Sequence, residues 1–312
     1  MRALLALSLV ACSSPAPNPT PTPTPPAGSA TTTSAATLTP GVELPEVTPA
    51  GFDAADKAEP TVSATLTGIT VDGKLIASLK DGIAQPDELE GGALGMKIVK
   101  LGVIADQLDT SKRIVLAFDK RIPYRTMIAT IYTLKQAKHR QFGLLARAGA
   151  HVVMASITLP DKQEAAADSG KNPGGGLEAQ IEEVKNAKSP PKSPSKASPQ
   201  PPQGPPPLQL IVSVTKTDVI LWSISTQEGT LQKPKLAVKL SEKTALTDLN
   251  RALTEIVATR FATARAPDDR TIIIQADAAT PMQLIAELIG TVRATPEAKE
   301  LFPDVQFASS FE

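Results

Sequence analysis

Asp119 and Asp277 are the side chains best suited by type and setting to acid–base chemistry. Each closes a short apolar run, Ile114–Phe118 or Ile272–Ala276, and each is followed by a proline, Pro123 with Tyr124 behind it or Pro281. A carboxylate there can act as a general acid or base if it faces a cleft and a reacting proton. It can also accept backbone N–H bonds in the turn that ends the strand. The second reading is the stronger, and Asp119, Pro123, Tyr124, Asp277 and Pro281 are taken as candidate turn or partner-contact positions. His139 and His151 have no metal-ligand spacing, partner cysteine or clustered acids. His139 sits in the basic run AKHR, where a solvated imidazole complementing a helix end is expected. No nucleophile elbow, phosphate loop or dinucleotide fingerprint appears, and Gly174-Gly175-Gly176 has no strand–helix context. No catalytic residue, metal or cofactor is assigned. An enzyme is not expected; a hydrolase dependent on Asp119 or Asp277 is the distant alternative.

The other reactive side chain is Cys12, the only cysteine. It follows a minimal basic start at Arg2 and the apolar run Ala3–Ala11, which is too short to cross a hydrocarbon core of roughly 30 Å. Leu9-Val10-Ala11-Cys12 resembles a bacterial lipobox. That resemblance implies a signal peptide over 1–12, lipidation of Cys12, and more than one acyl chain for stable membrane anchoring. Ser13 in place of Asp implies, by the same resemblance, the outer rather than the inner membrane, facing the periplasm.

These positions need elements to hold them. With Ile114 set on Ile272, Asp119 falls on Asp277 and Pro123 on Pro281 at one offset, and a shared offset across a strand, a turn and a helix start points to duplication. Both strands are apolar on both faces, as suits a covered central strand. The prolines are expected at the first helical position, with capping-box spacing from Thr280 to Gln283. Met127, Ile128, Ile131 and Tyr132, and then Leu284, Ile285, Leu288, Ile289 and Val292, recur at helical period. Upstream, Val62–Ile69 and Lys74–Leu79 read as strands with Asp72-Gly73 as the hairpin turn, followed by a helix through Leu94, Ile98, Leu101, Ile104 and Leu108. Phe142–Ala146 and Val152–Leu159 read as strands. In the second half, Leu208–Val214 and Val219–Ser225 read as strands, Leu246 to Val257 as a helix and Val305–Phe311 as a last strand. Trp222 falls on the strand face shared with Ile220 and Ile224, opposite Leu221, where core packing is expected and an exposed edge aromatic for partner binding is the alternative.

Lys+Arg and Asp+Glu balance at 32 each, which argues against nucleic-acid binding by phosphate neutralisation. Aromatics are 3%, so no stacking surface is evident. Most of the 29 prolines fall in two stretches. Residues 13–59 form a Pro/Thr-rich disordered linker able to hold a domain on the order of 100 Å from its anchor. Residues 161–207 form a Pro/Lys/Ser-rich linker. Between and after them lie domains at 60–160 and 208–312. The fold expected is α+β: two repeated β-β-α-β-α-β two-layer sandwich domains joined by Pro-rich linkers.

The strand, Asp, turn, Pro and helix order resembles the periplasmic domain of the ExbD/TolR biopolymer-transport family, whose typical run is a strand, "aD", a short turn and "Py". Ala276-Asp277 and Pro123-Tyr124 each match half of that run, while Phe118 and Met282 depart from it. The resemblance covers both globular units. Members of that family carry a transmembrane helix with a proton-coupling aspartate, and nothing here matches it. It therefore implies a non-enzymatic, lipid-anchored envelope scaffold that engages peptidoglycan or an extended protein segment. The alternative it implies is an accessory of a proton-driven Tol/Ton-like machine. Because family domains dimerise, an intramolecular pseudo-dimer of the two repeats is expected.

Overall fold

The computed structural model describes residues 40–55, 59–91, 97–158, 208–261 and 270–308. The signal-like segment with Cys12, the Pro/Thr-rich stretch up to residue 39, the linker 161–207, Leu94, Leu159 and Phe311 lie outside the described residues.

The strands are β1 (Asp53–Ala54), β2 (Thr61–Ala64), β3 (Gly68–Val71), β4 (Lys74–Lys80), β5 (Ile83–Ala84), β6 (Leu89–Glu90), β7 (Lys97–Ile98), β8 (Ile114–Phe118), β9 (Phe142–Ala148), β10 (His151–Ile157), β11 (Leu210–Val214), β12 (Asp218–Ser223), β13 (Leu236–Lys239), β14 (Thr271–Ala276) and β15 (Asp304–Phe307). The α-helices are α1 (Val99–Ala105), α2 (Tyr124–Gln136), α3 (Ala245–Arg260) and α4 (Met282–Arg293). The chain is thus mixed α+β, with three sheets and four α-helices among the described residues.

One sheet runs β1-β10-β9-β8-β2-β3-β4-β5 and another β13-β12-β11-β14-β15; β6 and β7 form a small ribbon. In the larger sheet β8 lies parallel to both β2 and β9, and β2 is antiparallel to β3. In the second, β14 lies parallel to both β11 and β15, and β11 is antiparallel to β12. Parallel neighbours need crossovers, and α2 and α4 supply them after β8 and β14.

Strand alternation divides the core. Ile114, Leu116 and Phe118 of β8 join Met127, Ile131 and Leu134 of α2 in one apolar core, which also takes in Ile272, Ile274, Ile285, Leu288 and Val305 of the second half. Val115 and Ala117 point to the opposite face, where Leu44, Leu145 and Met154 complete a smaller cluster.

Several expectations are corrected. Val62–Ile69 is two strands, because Thr65–Gly68 forms a tight turn: the Thr65 and Gly68 main chains bond at 2.9 Å and the Thr65 hydroxyl accepts the Gly68 N–H at 3.2 Å. Asp72-Gly73 then turns β3 into β4, with both residues at positive φ (47° and 81°) as a primed turn requires. Strand β13 carried no usable apolar alternation, since Leu236–Lys239 is nowhere fully buried. Most consequentially, residues 42–55 are not spacer. They pack along the larger sheet: Leu44 is buried in the second cluster, β1 pairs with β10, and Val47 and Arg147 exchange main-chain bonds with the opposite segment. Pro45 and Pro49 gave this strap a linker's composition, yet proline also favours the extended backbone that edge pairing uses.

Candidate functional site

The two Asp-to-Pro turns lie against one another. Pro123 and Pro281 form an antiparallel bridge. Around it the Tyr124 N–H donates to the Thr280 carbonyl (2.7 Å) and the Met282 N–H to the Ile122 carbonyl (2.9 Å). One step outward, the Arg125 N–H donates to Ala278 (3.1 Å) and the Gln283 N–H to Lys120 (2.9 Å). Each bond of one turn thus has its counterpart from the other.

The arrangement has a local cause. A helix leaves its first N–H groups without intrahelical partners. The prolines stand one place earlier than expected, as N-caps in extended backbone (φ −74°, ψ 149° and φ −73°, ψ 150°), and neither offers a side-chain cap. The first two N–H groups of α2 and of α4 are therefore capped by carbonyls of the other turn. The expected Thr280/Gln283 capping box does not form, because Gln283 is engaged elsewhere: its Oε1 accepts the Glu46 N–H (2.9 Å) and its Nε2 donates to the Glu46 carbonyl (2.7 Å).

The two aspartates serve their turns unequally. Asp119 is fully buried. Its carboxylate accepts the Arg121 N–H (3.0 Å), a two-pronged contact from the Arg121 guanidinium (2.9 Å to each oxygen) and the Glu43 N–H of the strap (3.2 Å). Burial pushes its pKa up. The bonds from Arg121 and Glu43, with the Arg121 charge, outweigh burial and hold it below the ordinary carboxylate value. Asp277 accepts the Ala279 N–H (2.9 Å). Both aspartates also donate their own N–H to the neighbouring strand end, Asp119 to Ala64 and Asp277 to Val214. The Asp119 oxygens are occupied by turn and strap donors, which is poor placement for a proton-transfer group.

Tyr124 crosses between the halves. Its ring is fully buried, 6.1 Å from that of Phe307, and its hydroxyl lies 2.6 Å from the Ala308 carbonyl and 3.1 Å from that of Ile274. Burial raises its pKa well above the phenol value. Nearby, Thr158 exchanges main-chain bonds with Val305 and Phe307, so the end of β10 runs onto the β15 edge.

Three side chains depart from or extend the sequence reading. His139 is buried, not solvated: its Nε2 lies 3.0 Å from the Ala105 carbonyl. The chain reverses at Lys138 (φ 68°), which tucks the imidazole under α1. Trp222 is buried opposite Leu221, with its indole N–H donating to the Ser213 hydroxyl at 3.0 Å. Arg293 was not singled out. It lines a cavity of about 740 Å³ between residues 48–53, α3, α4 and the segment 294–303. The one available signal was a lone basic residue ending a mostly apolar helix.

Among the described residues no group of His, Cys, Asp and Glu is arranged to hold a metal ion, and no helix is long and apolar enough to cross a membrane. Comparison with protein-family models, curated proteins and solved structures gives no match.

Proposed function

We propose that this chain is a non-enzymatic binding and scaffold module of the bacterial cell envelope, anchored through lipid on Cys12 and made of two related β-β-α-β-α-β units packed as an intramolecular pseudo-dimer. The duplication reading draws on the common offset of the Asp-to-Pro turns and on the like strand senses around β8 and β14. The relation to ExbD/TolR periplasmic domains rests on the same short motif, and the expected periplasm-facing, outer-membrane setting rests on the lipobox-like run to Cys12 and on Ser13.

The observation that carries the binding reading is the strap. Residues 42–55 are an extended, proline-bearing segment held by main-chain bonds and an apolar cluster along β9 and β10. A fold that holds such a segment in cis does so by the edge pairing and apolar contacts through which extended segments are recognised. Peptidoglycan or an extended protein segment is the proposed partner. The test is co-sedimentation of the chain with purified sacculi over a salt series. Saturable pelleting that survives moderate salt supports a membrane-to-wall tether, because weak surface attraction fades with screening. Failure to pellet refutes the wall as partner.

A further inference from the structure

We infer that the cavity beside Arg293 is a binding site for a small monocarboxylate with an apolar body, the free end of a peptide being one such group. The cavity is about 740 Å³, within the range of roughly 300–1,000 Å³ typical of small-molecule sites. Pro49, Phe52, Leu246, Pro296 and Pro303 give it apolar walls.

Its shape is built rather than incidental. Phe52 lies over Gly290, where a Cβ would come within 3.1 Å of the ring. Gly51, at φ +81°, passes so close to α4 that a Cβ there would sit 2.9 Å from the Arg293 Cβ. Asn250 is fixed on the other side, donating to the Thr291 (2.7 Å) and Ala294 (2.8 Å) carbonyls.

Into this cavity Arg293 brings a charge that the fold does not fully use. Its side chain is 12% exposed, and Nη2 lies 3.7 Å from an Asp53 oxygen. Nη1 is buried and has no hydrogen-bond partner among the described residues. A buried guanidinium N–H without an acceptor is costly, so a shift of the side chain that brings it to an acceptor in the cavity would relieve that cost, and a guanidinium matches a carboxylate in geometry as well as charge. The rim selects among anions. Asp53 and Glu300 both line the cavity, and the Glu300 carboxylate is taken by Arg270 at 2.7 Å. The Asp53 carboxylate at the rim opposes a dianionic phosphate more strongly than a monoanion, and the apolar walls favour a ligand that buries hydrocarbon behind its carboxylate. This site lies away from the paired turns and stands whether or not the chain binds the wall.

The test is an amide-resonance titration of the full chain with acetyl-Ala-Leu as the free acid, with its carboxamide, and with inorganic phosphate. The free acid is expected to shift Gly51, Gly290 and the Asn250 side-chain amide saturably. The carboxamide should bind at least about tenfold more weakly, and phosphate should leave those signals in place. Arg293→Gln should abolish the preference for acid over amide. Equal binding of acid and amide, phosphate binding in place of the acid, or no shift at these residues at millimolar acid would overturn the proposal. The acid–amide contrast is read on the unsubstituted chain and does not depend on the variant folding.

Discussion

Removing one hydroxyl should weaken the joint between the halves by a predictable amount. Tyr124→Phe keeps the buried ring and its contact with Phe307 and deletes the bonds to Ala308 and Ile274. The Ile274 carbonyl already accepts the Ala308 N–H at 3.0 Å, so the main loss falls on the Ala308 carbonyl, bonded at 2.6 Å. Leaving a buried acceptor unpaired costs about 1–3 kcal/mol, and the expected loss is about 2 kcal/mol. For a fold of this size that corresponds to a fall in Tm of about 4–8 °C. The readout is built in: Trp222 is the only tryptophan and lies in the second half, whereas the substitution lies in the first. Urea unfolding followed by Trp222 fluorescence should therefore shift as far as the far-ultraviolet circular dichroism does. If the fluorescence midpoint stays put, or the loss is below about 0.5 kcal/mol, the hydroxyl does not couple the halves and the reasoning fails. The pH dependence gives a second check. With its folded pKa raised by burial, the phenol contributes stability that is intact below the unfolded value of about 10 and is lost as pH rises above it. The wild type should weaken in that alkaline window, and Tyr124→Phe should lack this component.

Leu44→Ala should cost about 2–5 kcal/mol of strap docking, seen as faster hydrogen exchange at the Val47 and Arg147 amides while β11 and β14 stay protected. Arg121→Ala should move acid unfolding to higher pH. The depressed Asp119 pKa supplies stability present above the unfolded value of about 3.9 and lost as pH falls through the lower folded value, and Arg121 is the main source of that depression. Residues 208–312 produced alone should sediment as a homodimer, because the Pro281 turn would present the same donors and acceptors it now offers the Pro123 turn; a folded monomer would count against the symmetric pairing.

What the sequence disclosed and what it hid divide along physical lines. Strand β8 was readable because both its faces are buried, which leaves a continuous apolar run ending in a polar stop; β14 was readable from Ile272, Ile273 and Ile274, although Ile273 is only half-buried and Gln275 interrupts the run. The Asp-to-Pro turns were readable because their chemistry is local: the aspartate accepts an N–H two residues on in both copies. Features that depend on distant partners were not readable. Gln283 looks like a capping residue until Glu46 reaches it from 237 residues away. The strap looks like spacer until Val115, Ala117, Leu145 and Met154 are seen to need a cover. His139 looks solvated until the left-handed turn at Lys138 carries it inward. The Arg293 cavity needs three separated segments and has no linear signature.

The symmetric pairing also bears on what the Asp-to-Pro turns are free to do. A turn that presents two N–H groups from its helix start and two carbonyls from its loop is complementary to a second copy of itself. Here both copies are used up, with four main-chain bonds crossing the joint and one apolar core running through it. At about 1 kcal/mol net for each bond, the pairing contributes about 4 kcal/mol before the shared core is counted, a large share of a typical fold's stability. A partner that engaged these turns directly would have to match that and re-cap both helices. Under the proposed binding reading, a partner would meet surfaces the joint leaves open, and the proposed ones are the strap and its adjoining cavity, where Gly51, Phe52 and Arg293 meet.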